Sequence, residues 1–439
     1  MTVSVETKRS RVTVYAKSTA PSLTPVKPGK THEFTALDHS MGRHSVHLVY
    51  YYRQAPTVTM AALKESLCDV LSYYPAMTGR LVKNEGDGCG EWMVKCNDAG
   101  VRMVDARADV TLDEFLASAT DEEERQLAYW EDVESDPYLW SPYCVQFTDF
   151  KEGSMAVGIS CTHLHADPTC VAVFARAWSD THRRALITCP PFFHPWAFYP
   201  RKNPIPSSPH LSEKSTSPPT LPPPAMSSVT FVFSASSIRQ CLADLQLSNL
   251  TPFDALASLL WLRISSYKDA SLGPAQLTLA VDCRRRMSAP LPLGFYGNAL
   301  HFFGVKADLS SGWSHVASEL NSHVSGVKED DVWSSVEWLH ERSKEKAFQM
   351  YGPELTCLAW DGVPVYNAEF SAGAIPVHVG CRIGNAQGEG LVVIMAGAPG
   401  EGEEARTVTV TLPTNLTAKI YRDEAILKYG PRIMFSPNI

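Results

Sequence analysis

Residues 155–178 are where the pattern of apolar and polar positions changes from strand to helix. Positions 155–161 form a short, mostly apolar run, too short for a helix and preceded by polar turn residues, which predicts a buried strand. Beyond it Val171, Phe174, Ala175 and Trp178 recur at helical spacing. Between the two lies His163-Leu164-His165-Ala166-Asp167, followed by Pro168. Such a junction presents side chains at the open end of a sheet while strand and helix hold them rigid.

The rest of the first half supplies strand patterns at 11–16, 44–52, 79–82, 92–94 and 143–148, the last joined to 155–161 by a polar turn. Leu63, Leu67, Val70 and Leu71 line one face of a helix that ends before Tyr73-Tyr74-Pro75. A glycine-rich turn is expected between 83 and 92, a capped helix start at 111–114, and a solvated acidic face at 121–124. From 190 to 226 the chain turns to proline and serine, which predicts a long crossover without regular sheet or helix.

The second half repeats the alternation. A strand at 229–233 precedes two helices, one with Ile238, Leu242 and Leu245 inward and one with Phe253, Leu256, Leu260, Trp261 and Ile264 inward. Leu277, Leu279 and Val281 alternate into Asp282-Cys283-Arg284-Arg285-Arg286, and a turn-rich segment follows at 290–298. Helices at 313–320 and 332–339, strands at 377–383, 391–395 and 407–412, and a last helix from 414 complete the chain. Similar order in both halves predicts two related α/β domains, 1–195 and 227–439, joined by a crossover at 196–226.

Composition narrows the function classes. A net charge of −8 with scattered basic residues argues against nucleic acid as the partner, and no apolar run reaches membrane-span length. Lys8, Arg9 and Arg11 precede no apolar stretch, so no secretory signal is expected. The eleven cysteines include no CxxC pair, which suits a reducing compartment, and a cytoplasmic monomer is expected. Two N-x-T matches, at Asn249 and Asn415, are then chance occurrences.

For the pentapeptide several roles are open. Asp167 before Pro168 spells a helix start. His163 and His165 with Cys161 and Cys170 could suggest zinc, but no second ligand pair at a recognised spacing accompanies them, and no metal is expected. Histidine is also the side chain best suited to take a proton near neutral pH.

His163 to Asp167 resembles the HxxxD motif of the plant BAHD acyltransferases, which move an acyl group from a coenzyme A thioester to an alcohol or amine. Further matches run in order along the chain: Leu37-Asp38, Tyr73-Tyr74-Pro75, Gly79-Arg80-Leu81, the stretch from Thr251 to Trp261, Asp282 with Arg284 and Arg286, and Gly294 to Asn298. The resemblance implies two chloramphenicol-acetyltransferase-like α/β domains with mixed sheets and a channel between them. It implies His163 as general base at the centre of that channel, Asp167 paired with Arg284, Asp282 in support, and Trp360, Tyr366 and Phe370 along the channel. Acyl-CoA is then a co-substrate, with a small-molecule acceptor and no bound cofactor.

The departures are specific. Pro168 replaces the usual glycine, Leu358-Ala359-Trp360 lacks a hydroxyl expected near the acyl group, and the D-F-G-W-G motif survives only as Glu369-Phe370-Ser371-Ala372-Gly373. These losses, with Lys95 to Arg102, resemble the Eceriferum and Glossy branch, whose members support very-long-chain fatty-acid elongation for cuticular wax without needing the motif. That branch implies a non-catalytic alternative with a fatty-acid elongase as partner and association with the endoplasmic reticulum.

Overall fold

The computed structural model describes residues 10–53, 58–84, 91–132, 137–194, 198–216, 223–268, 275–342 and 349–437. In chain order its strands are β1 (Val12–Ala20), β2 (Thr31–Glu33), β3 (Ser45–Tyr52), β4 (Arg80–Lys83), β5 (Trp92–Lys95), β6 (Val101–Thr111), β7 (Tyr143–Lys151) and β8 (Met155–Thr162). The second half adds β9 (Met226–Phe233), β10 (Gln276–Asp282), β11 (Leu300–Lys306), β12 (Leu355–Trp360), β13 (His378–Gly384), β14 (Leu391–Ala396), β15 (Arg406–Pro413) and β16 (Arg432–Met434).

Two mixed sheets result. One has the order β1-β6-β7-β8-β3-β13, with β6 and β7 parallel; the other has the order β11-β10-β12-β14-β15-β9-β16, with β10, β12 and β14 parallel. A small sheet, β2-β5-β4, stands apart. Every residue of β3 and β8 is buried, which explains the apolar runs of their sequences. The halves do not stay separate: β13 leaves the second half and pairs antiparallel with β3, from His378 opposite Tyr51 to Gly384 opposite Ser45. Likewise the largest apolar cluster joins Leu48, Val157 and Trp178 to Ala280, Leu358 and Val393. A second cluster lies between helices Ala235–Leu245 and Pro252–Ser266 and the strands they cover.

Two expectations need correction, and the strands β11 and β12 lie where none is expected. The crossover contains a helix, Pro209–Thr216, with Leu211 and Lys214 buried. Pro209 opens it where a missing amide costs nothing, and no proline follows within the helix. The acidic run is not simply a solvated face: in helix Asp121–Arg125 the Asp121 carboxylate is buried, pairs with Arg125 and accepts the Ser228 amide of β9 at 2.8 Å. Finally, β11 and β12 carry no alternation that would mark them; β12 is sandwiched between parallel neighbours and mostly buried. The glycine-rich turn expected between 83 and 92 lies largely outside the described residues.

One close approach fixes how the central strand is covered. At Gly158 of β8 the Leu127–Ala128 backbone passes so near that a Cβ would stand 2.0 Å from the Leu127 carbonyl oxygen. Gln146 holds that segment, accepting from the Tyr129 amide at 2.9 Å and donating to the Gln126 carbonyl at 2.7 Å. Since a backbone neighbour cannot swing aside, Gly158→Ala is expected to destabilise the fold by about 1–3 kcal/mol in denaturant unfolding. Unchanged stability would mean the segment does not lie against β8.

Candidate active site

The loop after β8 is held from both halves of the chain. Asp167 caps helix Pro168–His182, its Oδ1 accepting from the Cys170 amide at 2.8 Å. The same carboxylate has a second role. Arg284 donates to it through both terminal nitrogens, Nη1 to Oδ2 at 2.8 Å and Nη2 to Oδ1 at 3.0 Å, and the Ala299 amide donates to Oδ2 at 2.9 Å. Neither Asp167 nor Arg284 is more than 2% exposed, so both charges are desolvated and the fork geometry has to compensate. Asp282 adds a second acceptor: its Oδ2 lies 2.8 Å from Arg284 Nη1 and its Oδ1 accepts the Arg284 amide at 2.8 Å. Burial alone would lower the guanidinium's pKa, but Asp167 and Asp282 together outweigh it and the net shift is upward.

A parallel clasp holds His163. Asn298 donates its backbone amide and its side-chain Nδ2 to Asp38 Oδ1, each at 2.8 Å, and Nδ2 also donates to the His163 carbonyl at 2.8 Å. Asp38 is buried as part of a capping box with Thr35. Consecutive residues 298 and 299 thus bind the two ends of the pentapeptide. The turn that carries them is pinned in place: Phe192 donates to the Gly294 carbonyl at 2.8 Å, and a Cβ at Gly294 would meet the Pro190 carbonyl at 2.1 Å.

The His163 ring has no exposed surface, and at the ring itself no channel opens. Its amide donates to the His44 carbonyl at 2.9 Å, Nε2 lies 3.0 Å from the Tyr351 hydroxyl, and Nδ1 makes no hydrogen bond among the described residues. Burial pushes its pKa down to about 4, against the opposing pull of Asp167. The imidazole is therefore neutral at pH 7. His165 faces elsewhere, edge-on to Phe34 and Tyr143 with ring centres 5.0 and 5.5 Å away, a packed aromatic environment.

Trp360 joins the group indirectly. Its indole donates to Thr169 Oγ1 at 3.1 Å, and Thr169 donates to Asp282 Oδ2 at 3.0 Å. Trp360, Asp282, Arg284 and the exposed Arg285 line a cavity of about 330 Å³ that also reaches Thr251 at the start of helix Pro252–Ser266. Phe370 is not brought there. It packs on Tyr52, Trp178 and His182, with Trp178 some 15 Å along helix Pro168–His182 from its start at 1.5 Å per residue. Tyr366 is buried in the short turn Val365–Asn367. No cluster of three or more potential metal ligands occurs among the described residues.

Sequence reasoning missed Tyr351, His44 and Thr169. Tyr351 stands in no recognisable motif; only the fold sets its hydroxyl against His163. Because Asp167 is both cap and counter-ion, Asp167→Ala leaves Arg284 buried with a lost partner, at an expected cost of about 3–5 kcal/mol in equilibrium unfolding. A loss near 1 kcal/mol would leave the cap as its only contribution.

The chain is 24% identical over 412 residues to Protein ECERIFERUM 26-like of Arabidopsis thaliana, covering 92% of this chain and 93% of that protein. It is 27% identical over 391 residues to shikimate O-hydroxycinnamoyltransferase of Nicotiana tabacum, covering 82% and 88%. Among solved structures it resembles vinorine synthase, with a TM-score of 0.73, 20% identity and coverage of 93% and 96%. It also resembles F. graminearum TRI101 complexed with coenzyme A and deoxynivalenol, with a TM-score of 0.75, 14% identity and coverage of 92% and 100%. These likenesses show the two-domain, chloramphenicol-acetyltransferase-like fold. With the family model of the transferase family matching residues 11–425, this chain belongs to that family, the BAHD acyl-CoA-dependent acyltransferases.

Proposed function

We propose that this protein transfers an acyl group from a coenzyme A thioester to the hydroxyl or amine of a small acceptor, with His163 as general base. The observation that carries the reading is the double clasp, Asp167 with Arg284 and Asp38 with Asn298, which holds one neutral imidazole between the two sheets. In the reaction the acceptor's proton moves to His163 Nε2 as its oxygen or nitrogen bonds the thioester carbonyl carbon. The C–S bond then breaks, and the imidazolium returns the proton to the departing thiolate. Asp167, turned toward Arg284 and Ala299, is a positioning residue. Asp282 and Arg284 support it. Trp360 forms a wall of the neighbouring cavity, where the exposed Arg285 suits a phosphate of the donor. Tyr366 and Phe370 are assigned to packing behind the site.

A second reading has its own observation. The Tyr351 hydroxyl meets Nε2, the atom that must receive the proton, and neither side chain is exposed. Together with the altered segment around Phe370, this favours a non-catalytic protein that promotes fatty-acid elongation through an elongase partner. No helix among the described residues is long and apolar enough to cross a membrane. Under the first reading the protein works as a cytoplasmic monomer, under the second at the surface of the endoplasmic reticulum.

Purified protein offered a panel of acyl-CoAs with pooled alcohols and amines, followed by thiol release, tests the first reading. His163→Ala should lower the rate by about 10²–10⁴-fold. If neither protein releases thiol while both lengthen fatty acids when co-expressed with an elongase, the second reading replaces it.

The depressed pKa gives a further expectation. A base with a lowered pKa stays deprotonated above that value and is lost as pH falls through it. The acid limb of kcat/KM attributable to His163 should therefore lie near pH 4 rather than near the ordinary histidine value of about 6.5. An inflection near pH 6.5 that disappears in His163→Ala would contradict the desolvated environment.

A further inference from the structure

Tyr351 is placed where an acceptor has to be. A general base takes a proton from a heavy atom about 2.6–3.2 Å away, and the Tyr351 hydroxyl lies 3.0 Å from His163 Nε2. Its ring is enclosed by aromatic neighbours, His44 and Phe302, at ring-centre distances of 4.9 and 5.4 Å. The phenol is thus enclosed by these rings with its hydroxyl on the base, as an alcohol awaiting acylation would be.

The seat is fastened from behind. The Tyr351 carbonyl accepts from the Gln387 amide at 3.2 Å and from Gln349 Nε2 at 3.3 Å, and the Pro353 carbonyl accepts from the Glu389 amide at 2.8 Å. The next carbonyl, that of Gly352, accepts from the buried ammonium of Lys214, which comes from the crossover helix and is paired with Glu354 at 2.6 Å. The backbone is therefore anchored, so any displacement of the phenol has to come from its side chain.

We propose that Tyr351 is the specificity-determining residue of this site, a built-in occupant of the acceptor seat that an incoming acceptor must displace and whose removal opens the seat to phenol-sized alcohols. The proposal rests on the acyl-transfer reading for its consequence, but the occupancy itself is measured without catalysis.

Diethyl pyrocarbonate carbethoxylates an accessible, unprotonated imidazole nitrogen, and tandem mass spectrometry of the peptide distinguishes His163 from His165. At pH 7 His163 should react slowest in the native protein, faster in Tyr351→Phe, where the ring remains but the hydrogen bond is gone, and fastest in Tyr351→Ala. The step from native protein to Tyr351→Phe is expected to be roughly tenfold or less, the worth of one hydrogen bond. Thermal unfolding of each variant checks that the fold persists; if Tyr351→Ala does not fold, the native and Tyr351→Phe rates decide. Equal reactivity of His163 in the native protein and every folded variant overturns the proposal.

The second measurement offers p-cresol, which reproduces the tyrosine side chain, together with acetyl-CoA or a long-chain acyl-CoA. In Tyr351→Ala the phenol proton passes to His163, the oxygen–acyl bond forms, the C–S bond breaks, and the thiolate is reprotonated. The aryl ester and one equivalent of free thiol should appear in Tyr351→Ala and not in the native protein. Exposure of His163 without ester from any variant supports the occupancy and counts against acyl transfer, so the two failures are separable. A fall in kcat in Tyr351→Phe for an alcohol or amine of the pooled panel that the native protein acylates, with His163 no more reactive, would make Tyr351 a proton-carrying group and overturn its role as occupant.

Discussion

The buried pair of Asp167 and Arg284 is the constraint on which the rest of the site depends. Two charges almost fully removed from water are tolerable only when well paired, and here the carboxylate accepts four hydrogen bonds, from Arg284 twice, Cys170 and Ala299. Arg284 in turn requires Asp282 and the carbonyls of the 295–297 turn. That demand dictates where the turn after β10 must lie, and so puts Asn298 within reach of Asp38 and of the His163 carbonyl. A buried pair of this kind is weak evidence of net stability; what it links here is Asp167 of the first half to Arg284 of the second.

Covalent order and spatial order then differ in a useful way. β13 completes the first sheet from the second half, Lys214 from the crossover helix braces the Tyr351 segment, and the Asn298 side chain and Ala299 amide grip the loop after β8. Each half is held by parts of the other. A single imidazole can therefore be kept rigid at the junction although it sits on a loop, which is what a positioned base requires.

Much of this was legible in the residues. The strand before His163 and the helix after Pro168 follow from apolar runs and spacing, and Asp167 as helix cap follows from its place before Pro168. The pairing of Asp167 with Arg284 follows from the family resemblance alone, and the two side chains meet at 2.8 Å. Legibility fails where one residue's environment is set by remote chain segments. Asp121 looks solvated in a run of acids and is buried because β9 passes over it; Tyr351 looks like any aromatic and meets His163 because Gln387 and Lys214 fasten the segment ahead of β12. Phe370 keeps its place in an altered motif, yet packs against Trp178 at the far end of the helix. Periodicity reports local burial, whereas contacts between halves depend on a topology that no local window contains.

Hydrogen exchange in an Arg284→Met variant tests the central claim most directly. Removing the cation while keeping an apolar side chain of similar length should release the amides of Cys170, Asn298 and Ala299 together, because the ion pair fixes both Asp167 and the turn that reaches Asp38, while the amides of β3 and β8 stay protected. Loss of protection confined to the neighbourhood of residue 284, with the 163–170 loop unchanged, would show that the loop is held without the ion pair and would contradict the account.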